Sequence, residues 1–88
     1  MTWKIEIDER ALKELKKLGH EAQREIIKYL KERVAKSENP RTSGKSLVGN
    51  FAGLWRYRLG QYRIICQIKD KELIVLIIRI GHRKDIYI

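Results

Sequence analysis

Arginine residues in the second half of the chain have the type and spacing of a phosphate-binding site. Arg56 and Arg58 alternate with apolar residues in one predicted strand, and Arg63 follows at the start of the next. Guanidinium groups remain charged in proteins and bind phosphate through paired hydrogen bonds. Because alternate residues of a strand share a face, we expect these arginines to lie together on one side of a sheet.

The turn between these two strands fixes how they pair. Gly60-Gln61 has glycine at the first central position, which suits a two-residue type II′ hairpin and places Arg58 directly opposite Arg63. Like charges in that position cost up to about 1 kcal/mol. A sheet that tolerates this repulsion favours an anionic ligand; the alternative is a set of solvated arginines on an open face. The other face is predicted to pack against helices through Trp55, Tyr57, Ile64, Cys66 and Ile68.

Earlier segments supply those helices. Thr2 to Ile7 alternates as a half-buried strand, and Asp8 is a suitable N-cap for a first helix that Gly19 should end. A second helix is predicted from about Glu21 to Lys36. We therefore expect one α+β domain over residues 1–88, with an N-terminal strand, a two-helix hairpin and a three-stranded antiparallel meander. The four strands should form a sheet in the order 1-4-3-2, counted along the chain, with both helices on one face.

The last strand brings a basic tail to the arginines. Leu73 to Ile80 is apolar on both faces and should be central. With Asp70-Lys71 as a second two-residue turn, Arg63 would face Ile78, and Gly81, His82 and Arg83 would emerge beside Arg58 and Arg63. Arg79 could lie on either face, because a three-residue turn would move it across the sheet. Lys45, in the long loop before the hairpin, is a further candidate phosphate contact, although an exposed loop lysine often has no specific role.

Composition narrows the class of protein. The 88 residues carry a formal net charge of +9, and residues 41–88 contain ten Lys/Arg against three Asp/Glu. This asymmetry favours nucleic acid or an acidic protein as partner over a basic surface kept for solubility. A single cysteine, no signal peptide and no apolar run near the roughly 20 residues that span a bilayer predict a cytoplasmic protein without a membrane partner. No metal-ligand spacing or nucleotide-binding glycine motif is present, so we expect no metal and no cofactor.

With these features, the chain resembles the RelE toxins of the RelE/ParE superfamily of bacterial and archaeal toxin–antitoxin systems. The resemblance extends over nearly the whole chain and rests on the helical segment and two later blocks. These read DERALKELKKL, LVGNFAGLWRYRLGQYRIICQI and GHRKDIY. Members of that family are small basic proteins that cut mRNA in the ribosomal A site and are neutralised by a cognate antitoxin. The resemblance thus implies a RelB-like antitoxin, the 70S ribosome and mRNA as partners.

The resemblance also implies a set of site residues. Positions associated with RNA cleavage correspond to Arg56, Arg58, Arg63, Arg83 and the terminal Tyr87. The best-studied pattern has lysines at the first two positions and a longer spacer before the tyrosine. This chain adds a histidine before Arg83. The predicted catalytic set is Arg56, Arg58, Arg63, His82, Arg83 and Tyr87, and the predicted RNA-binding set is Lys45, Arg56, Arg58, Arg79 and Lys84.

Cleavage by this route needs a base for the 2′-OH, stabilisation of the phosphorane charge and an acid for the 5′-oxygen. Arginine suits the second task and is a poor base. We therefore assign acid–base chemistry to His82, with a simple hydrogen-bonded histidine as the alternative. Tyr87 could stack on a base or pack on the sheet. Two other functions remain open, a ParE-like inhibitor of DNA gyrase and a passive RNA-binding module.

Overall fold

The computed structural model describes residues 2–86, in which two helices cover one face of a mixed β-sheet. The elements in chain order are β1 (Lys4–Ile7), α1 (Glu9–Lys16), α2 (His20–Tyr29), β2 (Lys45–Ser46), β3 (Trp55–Leu59), β4 (Tyr62–Lys69) and β5 (Ile74–His82). A π-helical turn over Leu30–Val34 extends α2, and short 3₁₀ turns occupy Pro40–Thr42 and Gly49–Phe51. No helix in this part of the chain is long and apolar enough to cross a membrane.

The sheet has five strands in the order β1-β5-β4-β3-β2. The α+β class and the neighbour order of the four predicted strands are confirmed, and β1 runs parallel to β5 as the crossover through the helices requires. The prediction of only four strands is wrong, because β2 adds a strand at the edge beside β3. Two residues are too short to show the alternation that identifies a strand in sequence.

The helical hairpin differs from its prediction at the connection. α1 ends at Lys16 and not at Gly19, which instead takes a positive φ of 89° as the residue preceding α2. Glycine adopts this left-handed backbone without a Cβ clash, so it turns the chain between the two helices. Asp8 occupies the predicted N-cap position, although its side chain makes no capping hydrogen bond.

The β3–β4 hairpin has the predicted register. Leu59 pairs with Tyr62, Arg58 with Arg63 and Tyr57 with Ile64, across a turn in which Gly60 has a φ of 59°. Side chains that point toward the helices form the main core, in which the sheet contributes Tyr57, Ile64, Cys66, Val75, Ile77 and Ile80. The predicted division of this hairpin into a helix-facing side and an open side is therefore confirmed.

The β4–β5 pairing is not the predicted one. The connection spans four residues, Asp70 to Leu73, so that Lys69 pairs with Ile74, and Leu73 takes a positive φ of 55°. A register shift between Ile65 and Cys66 then inserts one extra residue in β5. As a result Arg63 faces Gly81 and not Ile78. The sequence of this connection has no glycine that would have revealed its length.

Glu14 of α1 stabilises β5 just after this bulge. β1 ends at Ile7, so β5 has no strand neighbour on that side beyond Ile77. There the Glu14 carboxylate accepts hydrogen bonds from the backbone N–H of Ile80 at 3.1 Å and from Nε of Arg79 at 3.0 Å. A side chain on α1 thus replaces the missing strand as the hydrogen-bond acceptor.

Replacing Glu14 with alanine should lower the free energy of unfolding by about 1–3 kcal/mol, because the half-buried Ile80 amide and Arg79 would lose their acceptor. Glu14→Gln retains one side-chain oxygen and should lose less. Urea denaturation of both variants measures this, with Glu9→Ala as an exposed control on the same helix. Equal stabilities for Glu14→Ala and Glu9→Ala would contradict the role of Glu14.

An ion pair joins the loop before β2 to the β4–β5 connection. The Arg41 guanidinium donates to both carboxylate oxygens of Asp70 at 2.7 and 2.9 Å, and these hydrogen bonds hold the pKa of Asp70 below its usual 3.8. A carboxylate whose pKa is lowered by folding stabilises the fold above its unfolded pKa. That contribution is lost as the pH falls through the folded pKa.

Asp70→Asn should therefore be less stable than the parent chain at neutral pH, and this difference should disappear as the pH falls below 3.8. Denaturation midpoints measured across the acid range test this. The control is Glu72→Gln, which neutralises another exposed carboxylate of the same connection. A stability difference for Asp70→Asn that persists in acid would contradict the ion pair as its cause.

A candidate phosphate-binding site on the open face of the sheet

Basic side chains from three strands share the sheet face that points away from the helices. Tyr57 is fully buried among the helices, so its neighbours Arg56 and Arg58 project to the opposite side. Arg58 lies directly opposite Arg63 on β4, and Arg56 lies opposite Lys45 on β2. The structure thus brings together the basic residues that the sequence assigned to strands β3 and β4, and adds Lys45 to their row.

The charges of this group act on one another. The pKa of Arg63 is lowered, first by its partial burial and then by repulsion from Arg58, Arg56 and Arg83. The effect of Arg83 shows that the C-terminal segment reaches the two strands, as predicted. We call Arg56, Arg58, Arg63 and Arg83 the arginine cluster. An anion that binds among these four cations would relieve their repulsion, which is the electrostatic property expected of a phosphate site.

Backbone carbonyls orient the central member of the arginine cluster. Nη1 of Arg63 donates to the carbonyl oxygens of Gly60 at 3.1 Å and Tyr62 at 3.0 Å. These bonds hold the guanidinium against the hairpin turn and leave its other N–H groups for a ligand. A guanidinium fixed in this way loses less conformational entropy when it binds phosphate.

The segment after β5 is held in place by backbone hydrogen bonds and one apolar anchor. The N–H of Arg83 donates to the Gln61 carbonyl at 2.7 Å, and that of Asp85 donates to the His82 carbonyl at 2.8 Å. Ile86 is buried on the open face, against Leu47 and Ile65. A Cβ at Gly81 would lie 2.9 Å from Cδ1 of Ile86, so a larger residue there would require the Ile86 side chain to shift. The fold-back places Arg83 beside β4.

His82 has partners on both ring nitrogens. Nδ1 accepts a hydrogen bond from the Lys84 backbone N–H at 3.2 Å, so we assign the ring proton to Nε2, which lies 2.7 Å from Oε1 of Gln61. The ring also packs edge-on against Tyr62, with centroids 6.2 Å apart. To exchange a proton with a substrate at Nε2, His82 would first have to release Gln61.

The remaining predicted site residues are placed differently. Arg79 forms an ion pair with Glu14 on α1 and does not join the arginine cluster, because the bulge rotates it toward that helix. Lys84 is exposed next to Arg83. Tyr87 lies outside the residues that the structure describes. Within residues 2–86, no His, Cys, Asp or Glu side chains form a group of three or more that could hold a metal ion.

Sequence reasoning missed three residues that position the site. Gln61 binds His82 and the Arg83 backbone, Gly81 admits Ile86, and Glu14 supports the bulge. Gly81 had a visible signal, since glycine at the end of an apolar strand often marks a close backbone approach. Gln61 and Glu14 had none, because their partners are more than twenty residues away in the chain.

Comparisons with known proteins agree with this fold. The model of the family described as ParE toxin of type II toxin–antitoxin system, parDE, matches residues 5–87. The mRNA interferase toxin RelE of Escherichia coli is 33% identical over 86 residues, which cover 96% of this chain and 86% of that protein. Toxin RelG of Mycobacterium tuberculosis is 41% identical over 51 residues, 58% of this chain and 59% of RelG.

The structural comparison gives the same result. A chain of the crystal structure of the toxin–antitoxin complex RelBE2 from Mycobacterium tuberculosis superposes with a TM-score of 0.87 at 25% identity. The match covers 94% of this chain and 93% of that one. Fold and site define a small basic α+β protein whose open sheet face is suited to an anion. The chain belongs to the ParE toxin family of type II toxin–antitoxin systems and is a RelE-type toxin of the RelE/ParE superfamily.

Replacing Arg58 with glutamine should increase stability by some tenths of a kcal/mol and up to about 1 kcal/mol, because it removes the like charge directly opposite Arg63. The gain should shrink at high salt, which screens exposed charges. Urea denaturation at low and high ionic strength measures both effects, with Arg10→Gln on α1 as the charge-matched control. A loss of stability at low salt would show that Arg58 does not oppose folding.

Proposed function

We propose that this toxin is a ribosome-dependent endoribonuclease that cuts mRNA in the ribosomal A site, by attack of a ribose 2′-OH on the adjoining phosphodiester without a metal ion. The observation that carries the proposal is the arginine cluster, in which four cations from two strands and the C-terminal segment act on one another. The relative from Escherichia coli, which matches over almost the whole chain, is named an mRNA interferase toxin.

The arginine cluster suits the charge that develops during the reaction. In the phosphorane the two non-bridging oxygens gain negative charge, and preorganised cations stabilise that state more than the starting diester. Arg63 has the central position, since Arg56, Arg58 and Arg83 all act on its charge. We assign Arg63 and Arg83 to the scissile phosphate, and Arg56 and Arg58 to the same phosphate and its neighbour.

The site has more groups suited to charge stabilisation than to proton transfer. Guanidinium groups remain protonated in proteins, so the cluster supplies charge and not a base. His82 is the group in residues 2–86 that we assign to acid–base chemistry, because it lies between Gln61 and the segment that carries Arg83. As imidazolium, with Nδ1 also protonated, His82 can donate its Nε2 proton to the 5′-oxygen leaving group once Gln61 moves aside, and solvent water takes up the proton of the attacking 2′-OH. Tyr87 remains a candidate for stacking on a base of the message.

The proposed nuclease function also implies the partners of this toxin. The relative from Mycobacterium tuberculosis was solved in a toxin–antitoxin complex, and we propose a RelB-like antitoxin for this toxin as well. The ribosome and mRNA are its proposed targets, in the cytoplasm. An acidic amphipathic segment of the antitoxin would complement the basic open face, and its apolar side chains would meet the Leu47–Ile65–Ile86 cluster.

A second function is favoured by one observation. The family model that matches the chain is described as the ParE toxin of parDE systems, which keeps open an inhibitor of DNA gyrase on the same fold. Such an inhibitor would block supercoiling and leave RNA intact. A passive RNA-binding protein would bind RNA without cutting it or arresting growth.

In a translating extract, the toxin should cut messages at A-site codons, and Arg63→Ala or Arg83→Ala should slow cleavage by about 100-fold or more, as loss of one charge-stabilising donor does elsewhere. Primer extension on the message measures the cut. Both variants should unfold at a urea concentration no lower than that of the parent chain, because neither side chain belongs to the core and each variant removes one of the mutually repelling charges.

Arg10→Ala on the exposed surface of α1 is the matched control, and it should cut normally. If the parent toxin leaves every message intact while it blocks gyrase supercoiling, the nuclease function is wrong and the alternative is correct. If it cuts messages but Arg63→Ala and Arg83→Ala cut equally well, the site assignment is wrong.

A further inference from the structure

A cavity adjoins the arginine cluster at the edge of β3. It has a volume of about 260 Å³ and is lined by Tyr29 of α2, by the loop and strand residues Ser43, Gly44 and Lys45, and by Arg56 and Arg58 of β3. That volume equals roughly nine molecules of liquid water, more than a phosphate group alone fills. Two of the lining residues, Arg56 and Arg58, also act on Arg63. The cavity and the arginine cluster therefore share a wall.

The loop that forms the outer wall is held firmly against β3. The indole N–H of Trp55 donates to the Ser43 carbonyl at 2.7 Å, and the hydroxyl of Tyr57 donates to the Pro40 carbonyl at 2.5 Å. Gly44 has a φ of 83° and lies so close to the β3 backbone that a Cβ would collide with the carbonyl oxygen of Arg56. These contacts fix the loop against β3, so the cavity is a defined feature of the fold.

Hydrogen-bond donors converge on the cavity. Lys45 contributes an ammonium group, and Arg56, its partner across the β2–β3 ladder, contributes a guanidinium. The hydroxyl of Tyr29 remains a donor at neutral pH, since burial raises the pKa of this tyrosine and a hydrogen bond from Ser43 only partly offsets that effect. Ser43 supplies a second hydroxyl. Of the six lining residues, none carries a carboxylate.

The backbone of β3 adds one more donor. β2 pairs only with Trp55 and Arg56, so it leaves the edge of β3 uncovered at Arg58. In a two-residue hairpin the residues that flank the turn exchange hydrogen bonds, and the next pair does not. Arg58 belongs to that next pair, so its N–H and its carbonyl both point away from β4, toward the edge of the sheet that the cavity adjoins.

We propose that this cavity binds the phosphate and ribose of the nucleotide next to the one held by the arginine cluster, so that single-stranded RNA crosses the edge of β3. The proposal rests on the proposed nuclease function and adds Tyr29, Ser43 and Lys45 as a subsite of it. Arg56 and Arg58 project from alternate positions of one strand, about 7 Å apart, a separation comparable with that of successive phosphates in an extended RNA strand. RNA is the occupant that the proposed nuclease function implies, and the side chains of Tyr29, Ser43, Lys45, Arg56 and Arg58 can each donate to its phosphate or ribose oxygens.

The test measures binding of a fluorescent 2′-O-methyl RNA pentanucleotide, which cannot be cut, to the full-length toxin over a range of salt concentrations. Each phosphate contact contributes about 0.7 to the slope of log K against log salt for a single strand. Lys45→Ala should reduce that slope by about 0.7. Tyr29→Phe and Ser43→Ala should weaken binding by about threefold to tenfold and leave the slope unchanged, because each removes a neutral donor.

Lys71→Ala is the matched control, since it removes one exposed lysine from the connection between β4 and β5. It should change neither the affinity for RNA nor the slope with salt. Thermal melting of each variant confirms that the fold is retained. The subsite is overturned if Lys45→Ala has the slope of Lys71→Ala, if Tyr29→Phe and Ser43→Ala bind as tightly as the parent, or if an acidic peptide binds while the RNA does not. Because cleavage plays no part, a parent toxin that binds this RNA but cuts no message would refute only the nuclease function.

Discussion

Burial of one face of the sheet holds mutually repelling cations together on the other. Tyr57, Ile64 and Cys66 alternate with the arginines along the hairpin and are fully buried against the helices. Each fully buried side chain of this size contributes about 1.5–3 kcal/mol, which exceeds the repulsion of up to about 1 kcal/mol between Arg58 and Arg63. The register that buries the apolar side chains therefore also fixes the arginine cluster.

Burial also affects the thiol of Cys66, because it raises the pKa of this thiol to about 12 and keeps it protonated.

The bulge in β5 joins this cluster to the C-terminal segment. Without the extra residue, the register of Lys69 and Ile74 would continue and Arg63 would face Ile80. With it, Arg63 faces Gly81, and Ile86 packs on the open face. Glu14 supports the bulge from α1 by accepting from the Ile80 amide. A residue of the first helix thus supports the part of β5 that leads to Arg83.

One loop and one edge strand extend the site toward the helices. The 3₁₀ turn at Pro40–Thr42 is fixed by Asn39, by the Arg41–Asp70 ion pair and by the hydroxyl of Tyr57. The residues that follow this turn pair Lys45 with Arg56. Together with Tyr29 they line the cavity. The cationic surface therefore continues from the C-terminal segment across β4 and β3 to β2. This continuity, more than any single residue, is what suits the open face to a polymer of phosphates.

Local patterns in the sequence were sufficient for the helices, the hairpin register and the separation of Arg56, Arg58 and Arg63 from the core. Each of these depends on residues close together in the chain, through alternation, helical spacing and the chemistry of Gly60-Gln61. Tertiary structure decided the rest. The length of the β4–β5 connection, the bulge, the pairing of Arg79 with Glu14 and the two-residue strand β2 all depend on partners distant in sequence. These features are set by backbone pairing and by side-chain contacts between elements far apart in the chain, and a pattern of neighbouring residues does not record such contacts.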